Sequence, residues 1–360
     1  MSVSARTPRT SEWLESLGEW SWPGQHLATA EMLPPAWVPA YPPAPSRAAA
    51  EPLPAPWLRA RRVTIAILMS ALVAVGGALA LQRQLGLSAS GSLPVRAAAE
   101  RSAPALLASA KLIPVNTDHA GSTIEKASYA SVALHHQGFF YVYLPAGYAP
   151  AKARYPVLYL LHGNSQSAGA FLEIGLQGEL DALIANHTIR PLIAVMIQGG
   201  PGSNNWRNLN DWHYESYVLE VQELIDRTLA TVPARSARAI AGLSMGGYGA
   251  MELTLNNPYR FGVVESWLGF FDGLEGQLHV DSHAISTLGL HAFLYGGQSD
   301  RIANPSENAP FAAKLRAEGA DATAAVYPGE HSLETVAAHL SEMLTFAGNS
   351  LSPPQTHGAS

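Results

Sequence analysis

Two hydrophobic patterns alternate through the C-terminal two thirds of the chain. The first is the short, wholly apolar run. VLYLL at 157–161 and LIAVMI at 192–197 have no polar position at all, and glycine or polar residues follow each of them. Runs this short and this uniformly apolar suit strands buried on both faces. Residues 237–241, 263–268, 292–295 and 322–327 are further strand candidates. The second pattern has helical spacing. Tyr217, Val218, Val221, Leu224 and Ile225 share one face of a predicted helix over 214–229, and helices are expected over 248–256, 309–318 and 333–346. Residues 128–144 predict an antiparallel pair, YASVAL and then FFYVYL. Strands alternating with helices over this length predict an α/β domain: a mostly parallel sheet with helices on both faces.

The N-terminal third reads differently. Residues 1–62 hold 11 of the 26 prolines and five of the eight tryptophans, and are expected to be a disordered Pro/Trp-rich cytoplasmic segment. Residues 63–81 (VTIAILMSALVAVGGALAL) carry no charge. As a helix they would span about 28 Å, close to the hydrocarbon thickness of a bilayer. Arg59, Arg61 and Arg62 precede the run and only Arg83 follows closely. The positive-inside rule then predicts one transmembrane helix, an uncleaved signal anchor at the cell membrane, with the remainder of the chain extracytoplasmic. A cleaved signal is the rival, for which 62 preceding residues are too many. Residues 82–123 are expected to be a linker, with a short helix over 104–111. Residues 124–347 are expected to form the globular domain, and 348–360 a disordered tail.

Composition narrows the function classes. Hydrophobic residues make up 48% and charged residues 14%, which suits a folded domain with a large core. The net charge of −6 and the lack of a long basic run argue against nucleic acid as a partner. The chain has no cysteine, which excludes a disulfide framework, a thiolate zinc site and a cysteine nucleophile.

Three turns carry the chemistry. Gly242-Leu243-Ser244-Met245-Gly246-Gly247 lies between a predicted strand and a predicted helix. A serine on such a turn presents its hydroxyl above the sheet, and the flanking glycines let strand and helix approach. A nucleophilic serine needs a base and an orienting acid, which in such folds follow in the order acid, then histidine. Asp300, in YGGQSD, and His331, in PGEHS, occupy loops after the next strands and are the candidates, with Asp272 as the rival acid. The third turn, His162-Gly163-Asn164, follows VLYLL. Acyl transfer needs two N–H donors at the developing oxyanion, and the backbone amides of Met245 and Asn164 are the candidates. No cofactor is expected. His279, Asp281 and His283 superficially suggest metal ligands but are expected in a loop without a further partner, and His135 and His136 would face opposite ways on a strand. Trp206, Trp212, Trp267, Phe270 and Phe271 are candidates either for a pocket wall or for plain core.

The segments YVYLPAGY, YPVLYLLHG, GLSMGGYGAM, YGGQSD and PGEHS together resemble the esterase D-type family of α/β-hydrolases, over about residues 128–347. Its relatives include S-formylglutathione hydrolases, feruloyl esterases and mycolyltransferases. The resemblance implies an α/β-hydrolase fold with an eight-stranded or similar sheet and cofactor-free serine hydrolysis of carboxylic esters. By motif it implies Ser244 as nucleophile, Asp300 as acid, His331 as base, and Met245 and Asn164 as the oxyanion hole. Two departures matter. Glu330 stands where a small residue is usual and could compete with Asp300 for the histidine. His162 stands where the mycolyltransferase branch has Asp, which favours the hydrolase branch. The reading is therefore a membrane-anchored extracytoplasmic serine esterase acting on a small-molecule or cell-envelope ester. The alternatives are an acyltransferase using a sugar or alcohol acceptor, and a non-catalytic binding module on the same scaffold.

Overall fold

The computed structural model describes residues 111–117 and 121–356. The chain divides into two compact units, Met1–Ala98 and Ala99–Ser360, and every described residue lies in the second. That unit is built on a nine-stranded sheet. In chain order the strands are β1 (Ile113–Thr117), β2 (Thr123–Ala130), β3 (Gln137–Leu144), β4 (Val157–Leu161), β5 (Ile193–Ile197), β6 (Arg238–Leu243), β7 (Val263–Trp267), β8 (His291–Gly297) and β9 (Asp321–Tyr327). Across the sheet their order is β1-β2-β3-β5-β4-β6-β7-β8-β9. β1, β2 and β3 pair antiparallel, as do β3 and β5. The six strands from β5 to β9 across the sheet pair in parallel.

The helices are α1 (Ala170–Glu173), α2 (Leu176–Ala185), α3 (Tyr214–Thr228), α4 (Met245–Asn256), α5 (Glu275–Leu288), α6 (Asn308–Ala317) and α7 (Leu333–Ser350). Period-two alternation along the strands divides the core between the two faces. Val157, Tyr159 and Leu161 of β4 join a cluster that includes Val221 of α3, Met251 of α4, Ile285 of α5 and Leu315 of α6. Leu158 and Leu160 join the other cluster, with Leu180 of α2 and Leu340 and Leu344 of α7. A strand such as β4, covered on both sides, must be apolar at every position, and this explains its uninterrupted run. The result is an α/β-hydrolase-like fold.

Several boundaries differ from expectation. The segment expected to be a linker to 123 contains β1, whose pairing with β2 is bulged between Pro114 and Asn116. Proline at this edge position breaks the alternating pattern that marks a strand. β2 ends at Ala130, and the expected continuation through 134 is a turn, held where Glu220 accepts hydrogen bonds from the amides of Val132 and Ala133. His135, which adjoins the end of that strand candidate, has φ 57° within the turn. The domain does not stop at 347. α7 runs through Gly348, where an added Cβ would stand 2.6 Å from Cγ2 of Ile189, and Gln355–Thr356 pair with Ala153–Arg154. Here glycine marks close helix packing and not a helix stop. Residues 279–283, expected in a loop, lie in α5, whose sequence EGQLHVDSHAISTL has a weak apolar stripe. The expected anchor at 63–81, the segment 1–62 and most of the expected linker lie outside the described residues. Among the described residues no helix is long and apolar enough to cross a membrane.

Candidate active site

β6 ends at Leu243 and α4 begins at Met245, leaving Ser244 alone at the corner. Its backbone has φ 56° and ψ −116°, a region that costs a non-glycine residue on the order of 1–3 kcal/mol. The surroundings enforce it. The Ser244 amide donates to the carbonyl of Trp267 at 2.7 Å, and the Ser244 carbonyl accepts from the amide of Tyr248 at 3.0 Å. A Cβ on Gly246 would stand 1.9 Å from the carbonyl oxygen of Leu161, and one on Gly242 would stand 2.3 Å from the backbone of Gly246. Only glycine permits this crossing of β4, β6 and α4.

His331 and Asp300 reach the serine from loops at the same end of the sheet. Nε2 of His331 lies 2.8 Å from Oγ of Ser244, and Nδ1 lies 2.7 Å from Oδ2 of Asp300. The other Asp300 oxygen accepts from the amides of Ile302 and Ala303 at 2.8 and 2.9 Å. These bonds fix the carboxylate plane. The Asp300 side chain is fully covered, and that of His331 is 14% exposed. A carboxylate at Nδ1 selects the tautomer with the proton there, so that Nε2 is free to accept from the serine hydroxyl. Asp272 and Glu330 are both solvent-exposed, and Asp300 occupies Nδ1.

Met245 is the first residue of α4, so its amide belongs to the first turn, which has no intrahelical acceptor. Asn164 lies in the exposed loop after β4, and its side-chain amide donates to Oγ of Ser203 at 3.0 Å. The framework of that loop is His162, the first residue of the third turn, which is not among the predicted catalytic or oxyanion residues. It is 1% exposed. Its Nδ1 lies 2.8 Å from the carbonyl of Gly163, and its Nε2 accepts from the amide of Gly199 at 2.9 Å. Burial lowers its pKa to about 4, against smaller upward effects of the two backbone hydrogen bonds, so the ring is neutral. The His162 carbonyl accepts from the indole of Trp206 at 3.1 Å. Gln166 accepts the Gly163 amide at 2.9 Å. The signal available in sequence was a histidine placed directly after an all-apolar strand.

The aromatic candidates separate. Trp206, Trp267 and Phe271 are buried, and Phe271 stacks on Phe311 at 4.3 Å. Phe270 is half-buried and stacks on Tyr248, one turn after Ser244, with ring centroids 4.8 Å apart. Arg207 lies over the other partner of that stack, 4.9 Å from the Tyr248 ring, and donates to both oxygens of Glu252. Trp212 is exposed. Among the described residues no group of three or more His, Asp or Glu is placed to hold a metal ion.

Residues 131–276 match the family model described as "Putative esterase". The match takes in the Ser244 corner and the loop after β4 but not Asp300 or His331. The chain is similar to an endo-1,4-beta-xylanase/feruloyl esterase of Xylanibacter ruminicola, 35% identical over 130 residues that cover 34% of this chain and 18% of the relative. It is also similar to the esterase Rv1288 of Mycobacterium tuberculosis, 30% identical over 142 residues that cover 36% of this chain and 28% of that protein. The chain thus spans less than a third of the curated relatives it matches. Among solved structures, a ferulic acid esterase superposes with TM-score 0.58 at 22% identity, covering 64% of this chain and 98% of that one. An S-formylglutathione hydrolase from Agrobacterium tumefaciens superposes with TM-score 0.54 at 20% identity, covering 67% and 100%. These likenesses support the α/β-hydrolase-like fold of the domain.

Proposed function

We propose that this chain is a serine esterase that cleaves carboxylic esters through an acyl-enzyme on Ser244. The observation that carries the reading is the continuous relay Ser244–His331–Asp300, with contacts of 2.8 and 2.7 Å, mounted on a strained strand–helix corner. His331 Nε2 takes the hydroxyl proton as Oγ attacks the ester carbonyl. Asp300 stabilises the imidazolium and keeps its orientation. The amides of Met245 and Asn164 receive the oxyanion, and the first turn of α4 adds its favourable dipole. Collapse of the tetrahedral intermediate expels the alcohol, which takes the proton from His331. Water then attacks the acyl-enzyme with His331 again as base, releasing the acid and regenerating the Ser244 hydroxyl.

Two similar proteins carry feruloyl or ferulic acid esterase in their names, so esters of aromatic acids are the first substrate class to try. The half-buried Phe270 and its stack with Tyr248 supply an apolar surface beside the nucleophile helix. The same reading has the domain displayed outside the cell by an anchor at residues 63–81. Its support is the uncharged run and the arginine asymmetry around it. The deciding experiment incubates purified full-length chain with a fluorophosphonate probe and with p-nitrophenyl esters of rising chain length. Stoichiometric labelling of Ser244 with ester turnover is expected. Absence of both rejects the esterase reading.

A further inference from the structure

β7 carries an acid in the middle of the sheet. Glu265 is fully buried, paired in register with Ala241 of β6 and Phe293 of β8. Its Oε1 has no hydrogen-bond partner, and its Oε2 accepts from the indole N–H of Trp267 at 2.9 Å. Burial pushes its carboxyl well above the usual carboxylate range, against a smaller downward effect of the Trp267 hydrogen bond. An aliphatic side chain here would avoid the desolvation cost altogether. What the acid gains is one bond, to Trp267.

Trp267 links the two halves of the candidate active site. Its carbonyl accepts the Ser244 amide at 2.7 Å, which anchors the strained corner. Its indole packs edge-to-face on Phe171, with centroids 6.2 Å apart. Phe171 belongs to α1, which follows directly on the loop that carries Asn164. The indole is wholly buried, and a buried N–H needs an acceptor to hold one orientation. The next residue, Leu268, has φ 50°, so the chain leaves Trp267 through a second strained position.

We propose that Glu265 is a positioning residue that, through Trp267, sets the distance between the Ser244 nucleophile and the Asn164 loop. The inference rests on Ser244 being the nucleophile. It assigns Glu265 no contact with substrate.

The test is steady-state hydrolysis of p-nitrophenyl acetate by the full-length chain, together with the rate of Ser244 labelling by a fluorophosphonate. Glu265→Leu should lower kcat by about 10- to 100-fold and leave KM within about twofold, the signature of misaligned reacting groups. Glu265→Gln keeps an oxygen acceptor for the indole and should restore kcat to within about threefold of wild type. Trp267→Phe keeps a ring but removes the donor. It should reproduce the Glu265→Leu loss, and the double variant should lose no more than either single one. An unchanged kcat in Glu265→Leu, an equal loss in Glu265→Gln, or additive losses in the double variant would overturn the proposal. If Glu265→Leu does not fold, Trp267→Phe with undiminished kcat and labelling rate overturns it alone. An active wild type with undisturbed variants defeats only this inference, whereas a wild type that neither turns over ester nor is labelled defeats the esterase reading itself.

Discussion

Oγ of Ser244 and Nε2 of His331 stand 2.8 Å apart although 87 residues separate them in sequence. Ser244 caps β6, and His331 follows β9, with β7 and β8 between these strands in the sheet. The parallel arrangement brings the C-terminal ends of all four strands to one edge, where open α/β sheets gather their functional loops. Removing either partner should therefore abolish chemistry while leaving the sheet untouched. Ser244→Ala is expected to eliminate fluorophosphonate labelling and to lower ester turnover by about 10³-fold or more. A circular-dichroism melt would check that the fold persists. Labelling that survives, or that maps to a different serine, is incompatible with the assignment.

Asp300 and Asp272 give a direct comparison of two carboxylates. Asp300 holds Nδ1 of His331 and is itself fixed by two backbone amides. Asp272 is exposed and contributes its backbone carbonyl, 3.4 Å from the Tyr248 hydroxyl. Asn at position 300 would present the wrong hydrogen-bond pattern to the imidazole, so Asp300→Asn should cost about 10³-fold or more in kcat. Asp272→Asn should stay within about threefold of wild type. Kinetics of the two purified variants decide the matter, and a reversed order would reassign the acid.

Much of this arrangement is legible in the sequence, for a physical reason. Strands buried on both faces must be wholly apolar, so β4 and β5 announce themselves, and the turns that follow them are where loops meet. The Gly-x-Ser-x-Gly turn was readable because the crossing of Gly246 over Leu161 tolerates no Cβ. What escaped were elements whose stability comes from tertiary contact. β1 is an edge strand interrupted by Pro114, and α5 has little amphipathic pattern. Gly348 resembled a terminus because its role is to let α7 approach Ile189. The place of His162 directly after β4 marks it, but its part depends on the amide of Gly199, 37 residues away, which that local signal does not report.

His162 predicts an acid limit on stability. Its folded pKa of about 4 lies below the ordinary histidine value of about 6.5. Between these values the unfolded chain binds the proton and the folded chain does not. Its contribution is therefore complete above about pH 6.5 and is lost as pH falls toward 4. Urea unfolding at stepped pH should show this decline, and His162→Gln should flatten it. That variant also loses the acceptor geometry at Gly199 N–H and should be less stable at neutral pH by about 1–3 kcal/mol. A wild-type stability that is level from pH 7 to 4.5 would contradict the burial argument.

Two glycine substitutions should have opposite signs. A Cβ on Gly246 would have to displace the Leu161 carbonyl, 1.9 Å away, so Gly246→Ala should destabilise by at least about 1–3 kcal/mol and distort the Ser244 corner. Gly178 lies within α2, is exposed, and has nothing within 4 Å of an added Cβ. Gly178→Ala should stabilise by about 0.4–1 kcal/mol, because it restricts the unfolded chain at no steric cost. Thermal melts of the two variants alongside wild type provide the comparison.

The last prediction tests the proposed anchor at residues 63–81 and its orientation. A charge at mid-bilayer costs about 2.5–3.5 kcal/mol on insertion scales, so the uncharged run at 63–81 is the favoured span. Arg59, Arg61 and Arg62 before it, against Arg83 after it, favour retention of the N-terminal side in the cytoplasm. The chain has no cysteine, so any introduced thiol is unique. In intact cells Ser46→Cys should resist a membrane-impermeant maleimide, and Ser88→Cys should react. Reaction at position 46 alone would invert the orientation and put the domain in the cytoplasm. Reaction at position 88 on a soluble fragment that lacks residues 1–80 would make the segment a cleaved signal, with the esterase released from the membrane.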